Sequence, residues 1–223
     1  TGDITNSMQR QNACQNHSPN ISLWMRADDR FFWNKNMLSS LFQSNKKDVG
    51  LWIIPVIQGF VQYKNCYVDV CTVSDLGEDL QNENFSMTLI SRRSRFRAGT
   101  RYKRRGVDEN GKCANYVETE QIFQYGKYAV SFVMVRGSVP VYWSQQGYKY
   151  NPPPQLVRSE EETQIAFNQH FEEELRIYEK QVVVNLVDQT GREKILADTY
   201  LKHILNLDHP NLTYVSFDFN KFW

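Results

Sequence analysis

Cysteine is scarce in this chain of 223 residues, and its few copies follow no metal-binding pattern. The four cysteines, Cys14, Cys66, Cys71 and Cys113, include no pair separated by two residues. A disulfide-stapled scaffold and a zinc site of the usual spacing are therefore excluded. A reducing, cytosolic compartment agrees best with this usage. The four histidines show no metal-ligand spacing either, and we predict neither a metal nor a cofactor.

Long apolar runs are missing as well, and none approaches the roughly 18 residues of a membrane-spanning helix. The motifs Gly-x-Ser-x-Gly, His-Glu-x-x-His and Gly-x-Gly-x-x-Gly do not occur. The sequence therefore carries no signature of a serine hydrolase, a zinc protease or a Rossmann nucleotide site. With 41% hydrophobic and 13% aromatic residues, the chain can still bury a sizeable core, which predicts a folded domain.

Net charge is almost zero, because 26 basic residues are matched by 25 acidic ones. The basic residues are unevenly distributed: residues 92–105, RRSRFRAGTRYKRR, contain eight of them and no acid. We call this stretch the basic segment. A concentrated block of positive charge on an otherwise acidic chain predicts an anionic partner. Arginine predominates in it, and the planar guanidinium group can bind two phosphate oxygens at once.

The next stretch, GVDENGKC at 106–113, has the spacing of a phosphate-binding P-loop but lacks its final serine or threonine. Asp108 and Glu109 place two anions where phosphate would bind, and Cys113 is a poor magnesium ligand because that ion prefers oxygen. A helix should follow a P-loop, yet ANYVETEQIF alternates like a strand. We therefore predict the loop of a β-hairpin here.

Cations alternate with other residues along the basic segment. As a strand, the segment would direct its cations to one face and Phe96, Ala98 and Tyr102 to the other. Two interpretations stay open: the cations either pair with Glu118 and Glu120 in an ordinary solvated sheet face, or receive an external phosphate or anionic membrane. The candidate binding residues are Arg93, Arg95, Arg97, Arg101, Lys103 and Arg105.

Hydrophobic periodicity and turn residues predict a mixed α/β fold, with a mixed β-sheet flanked by helices. Before residue 85 the predicted elements are a loop (1–23), a helix (29–43), a strand (52–63) and an acidic loop (74–84). Residues 85–143 are predicted as continuous β structure, including the basic segment and a hairpin at Gly126-Lys127. After the break at 151–154, a capping box of Ser159 and Glu162 begins a helix. A strand (181–188), a helix (198–207) and a strand (213–219) follow, an order that predicts parallel pairing.

Six stretches together resemble the Sac-domain phosphoinositide phosphatases, in order and over nearly the whole chain. They are WMRADDRFFWN (24–34), WIIPVIQGFVQ (52–62), LISRRSRFRAGTRYKRRGVDENG (89–111), ANYVETEQ (114–121), RGSVPVYWSQ (136–145) and KQVVVNLVDQTGREK (180–194). The chain looks closest to the endosomal branch, which removes the 4-phosphate of the inositol ring. The resemblance implies that residues 1–55 are the tail of an N-terminal subdomain and that residues 56–223 are the first part of the catalytic subdomain.

The resemblance also implies a mechanism, in which the cysteine thiolate of a Cys-x5-Arg loop attacks the phosphate without a metal. Six residues after the four cysteines stand Asn20, Thr72, Gly77 and Thr119, none of them arginine. No catalytic residue is therefore assigned in this chain. We expect a fragment that ends before the catalytic loop and is inactive by itself.

The function implied is thus the framework and basic surface of an enzyme that hydrolyses phosphatidylinositol 4-phosphate. The expected partners are phosphoinositide lipid, an anionic membrane surface and the remainder of the Sac domain, on endosomal or other cytosol-facing membranes. The alternative is a non-enzymatic module that binds phosphoinositide or nucleic acid. Nucleic acid is less favoured, because a period of two directs the rings of Phe96 and Tyr102 away from the cations.

Overall fold

The computed structural model describes residues 3–17, 21–44, 48–74, 77–100, 103–146 and 152–218, without the side chains at 14–17, 70–74 and 77–81. Its helices are α1 (Met8–His17), α2 (Leu23–Arg26), α3 (Ser39–Phe42), α4 (Glu160–Tyr178) and α5 (Lys194–Leu207). Its strands are β1 (Gln58–Ser74), β2 (Gly77–Arg93), β3 (Val117–Tyr125), β4 (Tyr128–Arg136), β5 (Trp143–Ser144), β6 (Gln155–Leu156), β7 (Gln181–Asn185) and β8 (Leu212–Ser216). Short 3-10 turns span Asn36–Leu38, Val49–Trp52 and Gly191–Glu193.

The chain divides into two compact units. The first unit consists of residues 1–95 and 117–136, and the second of residues 96–116 and 137–223. Each unit therefore combines stretches that are distant in sequence, and neither corresponds to one continuous half of the chain.

The first unit contains a four-stranded antiparallel sheet whose strands follow sequence order. β1 and β2 pair along their whole length, and β3 and β4 form a hairpin in which Tyr125 faces Tyr128. Gly126 in the turn has φ +54°, the left-handed conformation that such a short turn requires. The predicted hairpin at Gly126-Lys127 is confirmed.

Other predictions for the first unit are wrong. Residues 8–17, predicted as loop, form α1, and the predicted helix 29–43 is reduced to a 3-10 turn and α3. The predicted acidic loop 74–84 belongs instead to β1 and β2, apart from two residues outside the description. A long two-stranded ribbon satisfies its backbone by cross-strand hydrogen bonds and needs no apolar face where it meets water, so polarity alone misled the prediction.

The second unit packs α4 and α5 on an apolar core. The hydroxyl of Ser159 accepts the N–H of Glu162, and the Glu162 carboxylate accepts the N–H of Ser159, which confirms the predicted capping box. β7 and β8 pair in parallel across α5, as predicted. The mixed α/β class is therefore confirmed. The most buried core residues are Val141, Phe167, Phe171 and Leu196.

Candidate functional site: the basic segment

The basic segment is not a strand. β2 ends at Arg93, and the described residues from 94 to 105 form bends, turns and irregular chain. The backbone of Arg97 has φ +49°, a left-handed conformation that interrupts an extended chain. The prediction of a strand with all its cations on one face is therefore wrong. Tertiary hydrogen bonds, described below, outweigh the local period of two.

Arg93 and Arg95 belong to the first unit. Arg93 is half-buried at the end of β2. The N–H of Arg95 donates to the carbonyl of Arg30 at 2.8 Å, and its guanidinium group donates to the carbonyl and carboxylate of Asp29 at 2.7 and 2.6 Å. Burial raises the pKa of Asp29, but hydrogen bonds from Lys35 and Arg95 outweigh it, and the pKa is lowered overall. Arg95 thus has an anionic partner inside the fold.

Arg92, which is not among the six candidates, is fully buried in the first unit. Its Nε donates to Glu118 at 2.7 Å and its Nη2 to Glu120 at 2.8 Å. Arg10 of α1 adds two hydrogen bonds to Glu118, at 3.0 and 2.8 Å, and Arg30 lies 3.4 Å from the same carboxylate. We call these five residues the buried ion network.

Three guanidinium groups therefore act on one carboxylate. Burial raises the pKa of Glu118, but the hydrogen bond from Arg10 and the charges of Arg92, Arg10 and Arg30 outweigh it and lower the pKa to about 2. Glu118 stays ionised at physiological pH. Glu118 and Glu120 are internal salt-bridge partners, as interpreted, but the residue of the basic segment that binds both is Arg92, and the site is buried rather than a solvated sheet face.

The rest of the basic segment belongs to the second unit, and we call residues 96–106 the basic loop. Nη2 of Arg97 donates to the carbonyl of Arg105 at 2.7 Å, so this side chain closes the loop on itself. Asn115 contacts both branches: its N–H donates to the carbonyl of Arg97 at 3.5 Å, and its Nδ2 to the carbonyl of Arg104 at 3.3 Å. Arg97 is therefore turned inward to hold the loop.

Two residues, Arg105 and Gly106, anchor the end of the basic loop. Nε of Arg105 donates to Gln145 at 3.0 Å, and its guanidinium group lies 5.0 Å from the centre of the Trp143 ring. Gly106 follows with φ +69°, and its N–H donates to Oγ of Ser138 at 2.8 Å. A Cβ at Gly106 would lie 2.4 Å from the carbonyl oxygen of Val141, so no larger residue fits.

Lys103 and Arg104 form the exposed tip of the basic loop. Their N–H groups donate to the carbonyl of Thr100 at 3.1 and 3.0 Å, which folds the tip into a turn. A Cβ at Gly99 would lie 2.3 Å from Cγ of Arg104, so glycine leaves room for this side chain. Sequence reasoning missed Arg104 because it breaks the period of two, a pattern that has no meaning in a turn. Arg101 lies outside the described residues.

GVDENGKC forms a tight turn closed by one antiparallel bridge between Val107 and Cys113, so the predicted turn is confirmed, but the described residues before it form no incoming strand. Oδ1 of Asp108 accepts hydrogen bonds from the N–H groups of Asn110 and Lys112, at 3.0 and 2.8 Å. A P-loop would turn such amides towards a phosphate, whereas here a carboxylate of the loop itself occupies them. This geometry argues against a nucleotide site.

Cys113 is buried. Burial first, and then the charge of Glu174, raise the pKa of Cys113 well above its ordinary value, although the charge of Arg97 opposes them. The thiol is therefore protonated near neutral pH and is not an activated nucleophile. The side chains of Cys14 and Cys71 lie outside the described residues.

The described ranges contain neither a metal-binding cluster nor a membrane-spanning helix. Within them, no group of histidine, cysteine, aspartate and glutamate side chains is arranged to hold a metal ion. The helices described there are too short or too polar to cross a bilayer.

Comparison with known proteins identifies the family. The model of the SacI homology domain matches residues 1–222. The chain belongs to the SacI homology domain family. This Sac domain chain is 53% identical, over 99% of its length, to phosphatidylinositide phosphatase SAC2 of Mus musculus, and 51% identical, over the same share, to SAC2 of Danio rerio. It is 39% identical, over 98% of its length, to phosphatidylinositol-3-phosphatase SAC1-B of Danio rerio.

The resemblance drawn from the sequence is thus confirmed. The Sac domain chain spans only part of these relatives: 20% of mouse SAC2, 21% of zebrafish SAC2 and 35% of zebrafish SAC1-B. The matched part contains the buried ion network and the basic loop.

Proposed function

We propose that this chain is part of a phosphoinositide phosphatase that hydrolyses phosphatidylinositol 4-phosphate on endosomal or other cytosol-facing membranes. The identity to proteins named phosphatidylinositide phosphatase supports the enzyme class. The nucleophile is a cysteine of a Cys-x5-Arg loop, a motif that does not occur in this sequence. The corresponding domain proposal assigns residues 1–55 to an N-terminal subdomain and residues 56–223 to the catalytic subdomain.

In this proposal the chain supplies the framework and a cationic contact for the phosphorylated headgroup. The observation that carries it is the arrangement of the basic loop: Arg97 and Arg105 are turned inward, while Lys103 and Arg104 are exposed at the tip. A tip preorganised by hydrogen bonds loses little conformational freedom when an anion binds. Ammonium and guanidinium groups are the usual phosphate ligands of proteins.

The other predicted binding residues take different roles in the proposal. Arg97 and Arg105 position the tip, and Arg101 belongs to the same loop. Arg93 and Arg95 belong to the first unit, where Arg93 adds positive charge near the membrane and the charge of Arg95 is offset by Asp29. Each basic residue close to an anionic surface contributes about 1 kcal/mol, less at high salt.

Vesicle co-sedimentation tests the role of the tip. We expect the double variant Lys103→Gln, Arg104→Gln to bind vesicles containing phosphatidylinositol 4-phosphate about tenfold more weakly, because two headgroup contacts are lost. The matched control is Arg192→Gln, Lys194→Gln, which removes the same charge from another part of the second unit. Equal weakening by both double variants would show that only net charge matters and would contradict the assignment of the tip.

A phosphate-release assay tests the proposal that none of the four cysteines of this chain is the nucleophile. The purified chain is expected to release no phosphate from phosphatidylinositol 4-phosphate above background. Release that disappears when one of the four cysteines is replaced by serine would refute the proposal that the nucleophile lies elsewhere. A strongly salt-dependent complex with single-stranded nucleic acid, formed without lipid, would favour the non-enzymatic alternative.

A further inference from the structure

The two faces of the sheet in the first unit differ in where their acidic residues lie. Paired residues of antiparallel strands project from the same face, so the register of β1 to β4 assigns every strand residue to one side. We call one side the open face. It consists of alternate residues of the four strands. Counted from the first residue of each range, these are every second residue of 58–66 in β1, 85–93 in β2, 117–125 in β3 and 128–136 in β4. The intervening residues form the opposite face.

The charges of β3 lie on the opposite face. Glu118 and Glu120 project there with Arg92, and all three are buried by the segment that contains α1. The N–H of Met8 donates to Glu120 at 2.8 Å, and Arg10 binds Glu118. The part of the opposite face that the α1 segment covers is thus charged, the reverse of the usual arrangement in a half-buried sheet, whereas Val61 and Tyr63 on the same face are 53% and 62% exposed.

The open face is apolar along most of β4, where its side chains meet solvent. Tyr128 is 67% exposed, Val130 64% and Phe132 59%, and these three follow one another along β4. Phe123 of β3 pairs with Val130 and is also exposed, and Phe60 of β1 is 52% exposed. Contiguous exposed apolar side chains of this kind mark a contact surface.

The charge of the open face indicates what it contacts. Within the four ranges that define it, the face carries no acidic residue, while Lys64, Arg93 and Arg136 are cations. The nearest acid on this side is Glu83, just beyond the range in β2, and it accepts a hydrogen bond of 2.8 Å from the hydroxyl of Tyr125. An apolar surface with cations and no acids complements a partner that is apolar and anionic.

The hairpin between β3 and β4 has the composition of a membrane interface. Tyr125 and Tyr128 flank the turn, and the Lys127 ammonium group lies 5.4 Å from the centre of the Tyr128 ring. A Cβ at Gly126 would have no atom within 4 Å, so the turn projects away from the rest of the described chain. Tyrosine and lysine place an apolar body against lipid tails and a polar end among headgroups.

We propose that the open face docks on an anionic lipid bilayer, with Tyr128, Val130 and Phe132 entering the boundary between headgroups and acyl chains. This contact is made by the first unit and does not involve binding to the phosphates of an inositol ring. It is therefore separate from the headgroup contact proposed for the basic loop. Burial of a few apolar side chains together with attraction to anionic lipid gives reversible, peripheral binding.

Flotation with vesicles of phosphatidylcholine and phosphatidylserine, without phosphoinositide, tests the proposal. The wild-type chain is expected to float with these vesicles, and Val130→Asp and Phe132→Asp are each expected to weaken partition at least about tenfold. The matched control is Val61→Asp, which makes the same change at a residue 53% exposed on the opposite face. It should change partition less than about twofold, and thermal melting should show that all three variants fold.

Three results would overturn the proposal. The first is a wild-type chain that does not float with these vesicles. The second is equal weakening of vesicle partition by Val130→Asp and Val61→Asp. The third is that Val130→Asp abolishes self-association in sedimentation without changing flotation. The last would identify the open face as a protein contact. The variant Lys103→Gln, Arg104→Gln separates the two surfaces: it should weaken binding to phosphatidylinositol 4-phosphate vesicles and retain the effect of Val130→Asp on phosphatidylserine vesicles. If that effect is lost in this background, the open face has no contact of its own.

Discussion

In the first unit the fully buried residues include Arg92, Glu118 and Glu120, whereas the core of the second unit is aliphatic and aromatic, as at Val141 and Phe167, with one buried histidine, His203, packed against it. An apolar core gains free energy from each side chain it removes from water. A buried ion network gains little over apolar groups of similar size, because desolvation offsets the attraction. The network, however, ties α1 to the sheet at defined atoms, so the two interiors should respond differently to mutation and pH.

The largest expected effect is the removal of Glu118. Glu118→Ala should lower the free energy of unfolding by about 3–5 kcal/mol, because Arg92, Arg10 and Arg30 lose their shared carboxylate and Arg92 is left in a buried site. Urea unfolding at pH 7 measures this. Glu83→Ala, which removes a solvent-exposed hydrogen bond from Tyr125, is the control and should lower the free energy of unfolding far less. Similar losses of unfolding free energy in Glu118→Ala and Glu83→Ala would show that the buried ion network stabilises the fold no more than an exposed contact does.

The pH dependence should separate the two interiors. The pKa of Glu118 is about 2 in the folded chain against an ordinary 4.5, so its contribution is present above pH 4.5 and is lost as the pH falls towards 2. The lowered pKa of Glu118 corresponds to about 3 kcal/mol of folding free energy. In the second unit burial lowers the pKa of His203 from 6.5, so the unfolded chain takes up the proton first and stability falls below pH 6.5.

Urea unfolding at pH 7.5, 5.5 and 3.5 checks both windows. His203→Gln should remove part of the loss between pH 7.5 and 5.5, and Glu118→Gln part of the loss below pH 4.5. If His203→Gln acted below pH 4.5 and Glu118→Gln between pH 7.5 and 5.5, the expected difference between the two interiors would be refuted. Neighbours of His203 are Gln164, whose Oε1 lies 2.6 Å from Nδ1, and the ring of Phe167.

A smaller effect is expected at the start of α4. Ser159→Ala should lower the free energy of unfolding by about 1 kcal/mol, because the N–H of Glu162 loses its acceptor. Ser159→Asp, which retains an acceptor at the cap, should restore most of it. Equal stability of the alanine variant and the wild type would mean that the cap is not needed once α4 packs on the core.

The smallest effect is expected for an ion pair in water. Lys194 and Asp198 form a pair four residues apart on α5, and both side chains are more than half exposed. Lys194→Ala should change the free energy of unfolding by less than about 0.5 kcal/mol, and less still in high salt. A loss comparable to that of Glu118→Ala would remove the distinction between buried and exposed charges.

Local rules predicted part of this structure well. The capping box of α4 and the hairpin at Gly126-Lys127 depend on residues within a few positions of one another, and both are confirmed. The tight turn GVDENGKC was also predictable, because its own Asp108 satisfies its amides. Helix 29–43 failed because Phe31 and Phe32 are buried by tertiary contacts that override helical periodicity.

The candidate site shows the limit of such rules. Arg92 and Arg93 are neighbours of identical chemistry, and nothing local says which of them is buried. The register between β2 and β3 pairs Arg92 with Glu118, and α1 then covers that face. In the basic loop, Asn115 holds the carbonyls of Arg97 and Arg104 from another part of the chain. A period of two along the segment could not reveal these partners.

The sequence by itself determined the class of fold, the family and the concentration of positive charge at 92–105, because composition, short-range turn chemistry and characteristic stretches are properties of the chain as written. The tertiary structure decided which of those charges are buried, which hold a loop and which reach solvent. It also decided that the α1 segment buries Arg92, Glu118 and Glu120 on one face of the sheet and that Tyr128, Val130 and Phe132 are exposed on the other. These outcomes depend on strand register and on contacts between distant residues, whose free energies exceed any local preference of an arginine for strand or loop.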